Sequence, residues 1–110
     1  MNESEVDNVF EALAHSVRRS IVLAVAQCPR SISSLAKELD YSLPAIHKHI
    51  EVLEAAGLVM RRKTGRVNYL SIKRDGLATG QAWIRQFHPH WGNDVETLEN
   101  YIKALKKETI

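Results

Sequence analysis

SISSLAKELDYSLPAIHKHIEVLEAAGLV, residues 31–59, decides how this chain folds. It holds two stretches of helical periodicity separated by the connector Asp40-Tyr41-Ser42. In the first, Ser31 or Ser33 can cap a short helix through SLAKELD, with Leu35, Ala36 and Leu39 inward. In the second, Ser42 fits an N-cap, and Pro44 falls in the first turn, where its missing N–H costs little. Ile46, Ile50 and Leu53 recur at i, i+4 and i+7, which predicts the buried stripe. Gly57 stands where a glycine ends a helix. Two helices joined by so short a turn make a helix-turn-helix.

Upstream, Val6, Val9, Phe10 and Leu13 recur at helical spacing between Glu5 and Ala14. A second helix is predicted from about Val17 to Gln27, with Ile21, Val22 and Val25 inward, and Cys28-Pro29 ends it. Downstream, in LVMRRK-TG-RVNYLSIK, two runs rich in β-branched and aromatic residues flank Thr64-Gly65 and predict a hairpin. Leu58 and Met60 on one arm and Leu70 and Ile72 on the other are expected to face the core, with Arg62, Lys63 and Arg66 around the tip. A helix-turn-helix followed by a basic hairpin is a winged helix. The tail from Asp75 to Ile110 returns to helix, with Trp83, Ile84 and Phe87 on one face and Pro89 interrupting the pattern. Trp91, Val95, Leu98, Ile102 and Leu105 then form a seam, long for so small a core, expected to pack on the first helix and on a second subunit. The expected fold is mostly α with a small β-hairpin wing, a winged helix-turn-helix in the order α-α-α-α-β-β-α-α. It is read as a single domain over residues 1–110, with the helix-turn-helix at 31–57, the wing at 58–73 and terminal dimerisation helices at 4–14 and 76–108.

The composition agrees with a globular chain: 110 residues, 45% hydrophobic and 25% charged. Its longest apolar run, IVLAVA at 21–26, is far too short to cross a bilayer. The opening MNESEVDN is acidic and polar, unlike a signal or transit peptide. A lone cysteine, Cys28, rules out a disulfide framework and a cysteine-based zinc site within one chain, and is read as a small buried hydrophobe. A cytoplasmic protein is expected. The net charge of +2 is unevenly spread, since residues 41–74 carry seven basic residues against two acidic ones. A basic middle in an acidic frame suits a polyanion-binding surface, or simply a solvated face.

The unusual feature of the 42–58 helix is its outward side. At 100° per residue from Ile46, the residues Pro44, His47, Lys48 and Glu51 point away from the core, with Leu43 and His49 at the shoulders. The first half of that side carries one charge, Lys48, and both acids, Glu51 and Glu54, come later. A helix entering the major groove needs side chains of moderate size, donors for base edges and few carboxylates. In a helix-turn-helix the N-terminal residues of the second helix meet the bases. His47 can donate or accept according to its tautomer, and Lys48 suits a phosphate or a guanine acceptor. His49 is expected to be structural, bonded to backbone. Arg62, Lys63 and Arg66 can lie along phosphates or in the minor groove, while also protecting an edge strand from aggregation.

These residues resemble the ArsR/SmtB family of repressors. FEALAHSVRRSIV (10–22) is similar to that family's opening pattern, residues 31–59 to its helix-turn-helix, and GRVNYLSI (65–72) to its second wing strand. WIRQFHPHW (83–91) resembles the tail of the SdpR-like branch, which lacks metal-binding cysteines. The resemblance implies a homodimer that represses by occupying a palindromic operator in double-stranded DNA until an inducer, unknown here, relieves it. It implies base reading by Ser42, Leu43, Pro44, Ala45, His47 and Lys48, and a dimer interface built from Val6, Phe10, Trp83, Phe87, Trp91, Val95, Leu98 and Ile102. Leu43 and His47 depart from the family's usual Gln and Ser, so an operator sequence is not inherited from relatives.

Two other readings compete. The apolar Leu43-Pro44-Ala45 patch would also suit a winged helix used for protein contacts. A metal or thiol sensor is the third reading. The positions where metal sensors of the family carry Cys-x-Cys are Ser31 and Ser33, poor ligands for soft metals, which leaves only the cluster His88, His90 and Asp94. No metal and no cofactor is expected. No enzyme is expected either, because no Ser-His-Asp order and no Gly-rich phosphate loop occurs.

Overall fold

The computed structural model describes residues 2–91 and 94–108, without the side chains of His90 and Trp91. The chain divides into two compact units, Met1–Gly80 and Gln81–Ile110.

In the first unit, α1 (Glu3–Leu13) opens on a capping box. The Asn2 side chain accepts from Glu5 N (2.9 Å), and the Glu5 carboxylate accepts from Asn2 N (3.4 Å). α2 (Ser16–Gln27) follows, and two of its arginines finish α1. Arg18 Nε donates to Ala12 O (2.8 Å), Arg18 Nη2 to Glu11 O (2.9 Å) and Arg19 Nη1 to Leu13 O (2.7 Å). They satisfy carbonyls that a helix C-terminus leaves without partners. Arg18 is only 6% exposed, so in place of a surface charge it is a buried cap.

Ile21, Val22 and Val25 are buried as expected. Cys28, expected to be buried, is exposed. It is the C-cap of α2 with extended backbone, where the chain leaves the core on its way to Pro29. A two-residue strand not anticipated from the sequence, β1 (Arg30–Ser31), comes next. It leads into α3 (Ile32–Leu39), whose N-cap is Ser31, accepting from Ser34 N at 3.2 Å. Asp40 ends α3 in the left-handed region (φ 58°), which Asp tolerates better than most residues. There Asp40 N donates to Lys37 O (3.3 Å) and Tyr41 N to Ala36 O (2.9 Å).

Helix α4 (Leu43–Ala55) starts at Ser42, whose Oγ accepts from Ala45 N at 3.3 Å. It ends in a Schellman motif: Gly57 N donates to Glu54 O (3.0 Å) and Leu58 N to Leu53 O (3.0 Å), with Gly57 at φ 71°. Ile46, Ile50 and Leu53 are fully buried. They meet Ile21, Val25, Leu35, Leu58 and Leu70 in one core.

The wing is β2 (Val59–Thr64) and β3 (Val67–Ile72), joined by Gly65-Arg66, one residue later than the expected Thr64-Gly65 turn. Gly65 has φ 62°, as the first position of a type II′ turn requires. β1 adds antiparallel to β3, giving a sheet of order β1-β3-β2. The strand phase also corrects the sequence reading. Leu58 is buried, but as the apolar residue that closes the Schellman motif, before the strand begins. The inward side of β2 is therefore Val59 and Arg61, opposite Ile72 and Leu70, and Met60 is turned out at 37% exposure.

Helix α5 (Arg74–Arg85) begins against the end of α4, with Gly76 N donating to Gly57 O at 2.8 Å. The boundary between the units falls inside it. In the second unit, Trp83 and Phe87 meet edge-on at 4.8 Å. α6 (His88–Trp91) and α7 (Asp94–Glu108) are tied by Asn100 Nδ2 donating to Pro89 O at 2.6 Å. No helix among the described residues is long and apolar enough to cross a membrane.

Candidate nucleic-acid interface

The first turns of α4 carry the residues that the sequence singled out. Ser42, Leu43, Pro44 and Lys48 are exposed, and Ala45 and His47 are half-buried. Leu43, at 48% exposure, is a large apolar side chain open to water beside Pro44. The Ser42 cap fixes where the helix begins, and the buried 46-50-53 stripe fixes which side turns out. The outer surface of this segment thus follows from the same residues that build the core.

The two acids of α4 differ in state. Glu51 is exposed, whereas the Glu54 carboxylate accepts from Arg61 Nε at 2.7 Å. Arg61 comes from the inward side of β2, and its Nη1 also reaches His47 Nδ1 at 3.0 Å. A strand of the wing thereby neutralises one carboxylate of α4 and holds the ring of His47. Arg61 and Glu54 are both about one-third exposed, so water weakens their charge attraction, but the geometry of the chain from Glu54 through Arg61 to His47 remains.

His49 lies on the inner shoulder of α4. The expected backbone bond is not what holds it; its ring meets Tyr41 edge-on, at 6.0 Å and 84°. Burial, then the positive charges of Arg18 and His15, hold its pKa below the ordinary 6.5.

On the wing, Arg62, Lys63 and Arg66 are all exposed, but they do not share a side. Lys63 pairs with Asn68 and, two residues from Arg61, lies on the sheet face that reaches α4. Arg62 pairs with Tyr69 on the opposite face, and Arg66 sits in the turn. Of the seven basic residues between 41 and 74, two are engaged by acids: Arg61 by Glu54 and Lys73 by Asp75 (3.6 Å). Five are left, all exposed: Lys48, Arg62, Lys63 and Arg66 around α4 and the hairpin, and Arg74 at the start of α5.

Sequence reading counted Arg61 only as one of the basic residues of 41–74 and missed its place between Glu54 and His47. The signal for Arg61 was the Schellman ending of α4, which sets the strand phase and turns residue 61 toward the helix. The Ser31 hydroxyl, at a position where a metal sensor would place a thiolate, is occupied as a helix cap. Of the cluster His88, His90 and Asp94, the His90 side chain lies outside the described residues. Among those residues no group of three or more His, Cys, Asp or Glu side chains is placed to hold a metal.

The residues expected to join two subunits fall in both units. Val6 is half-buried and Phe10 exposed on α1; Trp83 and Phe87 are exposed. Val95, Leu98, Ile102 and Leu105 line one side of α7, and all are at least 42% exposed. The Trp91 side chain is outside the described residues.

Comparison with known proteins agrees with this geometry. A helix-turn-helix domain model matches residues 13–62. The HTH-type transcriptional regulator Rv2034 of Mycobacterium tuberculosis is 38% identical over 102 residues, 93% of this chain and 90% of that protein. The transcriptional repressor SdpR of Bacillus subtilis is 24% identical over 90 residues, 82% of this chain and 100% of the repressor. The crystal structure of an ArsR family transcriptional regulator matches with a TM-score of 0.76 at 30% identity, covering 84% of this chain and 96% of that one.

Proposed function

The chain belongs to the ArsR family and is a DNA-binding transcriptional regulator, and we propose that it acts as a repressor, as a homodimer on a palindromic operator. One observation carries the reading. The first turns of α4 present Ser42, Leu43, Pro44 and Lys48 to solvent with no carboxylate among them, beside a hairpin bearing exposed Lys63 and Arg66. In the proposed complex α4 enters the major groove, and Ser42, Leu43, Pro44, Ala45, His47 and Lys48 face the base edges and flanking phosphates. Leu43 packs on a thymine methyl, a contact open to an apolar side chain. Lys63 and Arg66, with Arg62 on the other face of the hairpin, take phosphates, which position the protein without reading sequence.

Dimerisation uses the apolar residues of the terminal helices, half-buried Val6 and exposed Phe10 on α1 and exposed Trp83, Phe87, Val95, Leu98 and Ile102 in the second unit, with Trp91 joining them. A pair of α4 helices spaced about one turn of B-DNA apart, about 34 Å, reads two half-sites. Repression follows from occupying the operator, and the working compartment is the cytoplasm, where the chromosome is.

The test is a gel shift with the DNA upstream of the protein's own gene, at low and at raised salt. The expected result is a specific complex whose affinity falls steeply with salt, because phosphate contacts release counterions. The exposed Leu43 beside Pro44 favours a second reading, a docking surface for a protein. The absence of a shift at low salt, together with a stoichiometric protein partner on α4, would establish that reading in place of the first.

A further inference from the structure

We infer that Arg61 fixes the tautomer of His47, so that this histidine meets DNA only as a hydrogen-bond donor and selects an acceptor-bearing base edge. The inference rests on the DNA-binding role of α4 proposed above.

A guanidinium carries only N–H donors and no acceptor. Arg61 Nη1 stands 3.0 Å from His47 Nδ1, so Nδ1 accepts and carries no hydrogen. A neutral imidazole has one N–H, and with Nδ1 bare it is at Nε2. Glu54 sets the direction of the arrangement. Its carboxylate takes Arg61 Nε at 2.7 Å, which orients the planar guanidinium and aims Nη1 at the ring. Glu54, Arg61 and His47 therefore form a one-way chain of donors that ends in the Nε2–H.

His47 belongs to the outward side of α4 and is half-buried, with Nδ1 turned to the wing. In the major groove an N–H donor is complementary to guanine N7 and O6, adenine N7 and thymine O4, and it is mismatched to the amino groups of cytosine and adenine. A histidine with a free tautomer could meet either class. The held tautomer removes the second, and guanine, with two acceptors and no major-groove donor, is its best match. Arg61 acts through His47, as a positioning residue for specificity.

Two measurements test this. Long-range proton–nitrogen NMR on the free protein, labelled with nitrogen-15 histidine, reports the His47 tautomer directly. The expected result is the Nε2–H form in the wild type and a mixture of forms in Arg61→Ala. A wild-type ring carrying its proton on Nδ1, or a mixture of tautomers, would overturn the inference before any DNA is added. The second measurement compares binding to a panel of operators varied one base pair at a time. The wild type is expected to lose about fivefold in affinity, one hydrogen bond, when the guanine under His47 is replaced by 7-deazaguanine or by cytosine. Arg61→Ala is expected to flatten the preference at that one base pair and leave the others unchanged. Arg61→Lys, which keeps a donor, restores it.

A merely structural Arg61 would instead weaken binding to all sequences alike, and that outcome rejects the proposal. If Arg61→Ala does not fold, the wild-type tautomer and the Arg61→Lys panel still decide. A wild type that binds no duplex at all, with the Nε2 proton in place, would overturn the proposed function, and this use of the tautomer with it.

Discussion

At Gly76 an added Cβ would lie 2.4 Å from the Ala56 carbonyl oxygen and 2.9 Å from Leu58 Cγ. The backbone of α5 approaches the end of α4 that closely because Gly76 N donates to Gly57 O. Gly76→Ala is therefore expected to destabilise the fold by about 1–3 kcal/mol, although alanine is the better helix former, since the clash is with backbone that cannot step aside. A lower urea midpoint with an unchanged slope would show it. His49 gives a second residue-scale prediction. Its pKa is lowered in the folded protein by burial and by the charges of Arg18 and His15, so the unfolded chain binds the proton more readily. Stability is full above the unfolded value of about 6.5 and is lost as pH falls through the lowered folded value. His49→Gln should flatten the dependence of the unfolding midpoint on pH in that window. An unchanged slope would mean that other groups set it.

At the scale of the element, the hairpin does more than carry charge. β2 supplies Arg61 to α4 from one face, while Lys63 on that face and Arg66 in the turn stay exposed. The expectation follows that Lys63→Ala and Arg66→Ala each lower the slope of log affinity against log salt by about one, and weaken binding evenly across DNA sequences. Fluorescence anisotropy at four or five salt concentrations measures this. If the slope does not change, the hairpin does not touch phosphate. The tip was legible in the sequence because a turn glycine between two β-rich runs is a strong local signal. The phase of β2 was not. Alternation from Leu58 to Met60 looks as good as alternation from Val59 to Arg61 until the Schellman motif claims Leu58 for the end of α4. Arg18 and Arg19 are a parallel case, since basic residues at the start of a helix look like solvated charge, yet they donate to three carbonyls of α1.

At the scale of the whole molecule, the proposed homodimer makes its own demand. Leu98 and Ile102 on α7 are 57% and 42% exposed in the single chain. Replacing both with glutamate should halve the mass measured by light scattering, because charges at a buried interface have no partners. It should also cost about a hundredfold or more in operator affinity, since two linked half-sites bind far better than one. A double variant that stays dimeric would remove α7 from the interface and leave α1 to carry it.

Read residue by residue, the chain determined its helices, its turn and its wing. Caps such as Ser42, stops such as Gly57 and the 46-50-53 stripe act within one or two turns of backbone, so their physics is written in neighbouring letters. The resemblance to DNA-binding repressors lay in the same local patterns. What tertiary structure decided is whatever joins distant positions: β1 against β3, Arg18 on the carbonyls of α1, the exposure of Cys28, and Arg61 between Glu54 and His47. Partners of that kind are chosen by the packing of elements, and a guanidinium that looks like one more positive charge in the sequence becomes, once packed, the group that settles where a histidine keeps its proton.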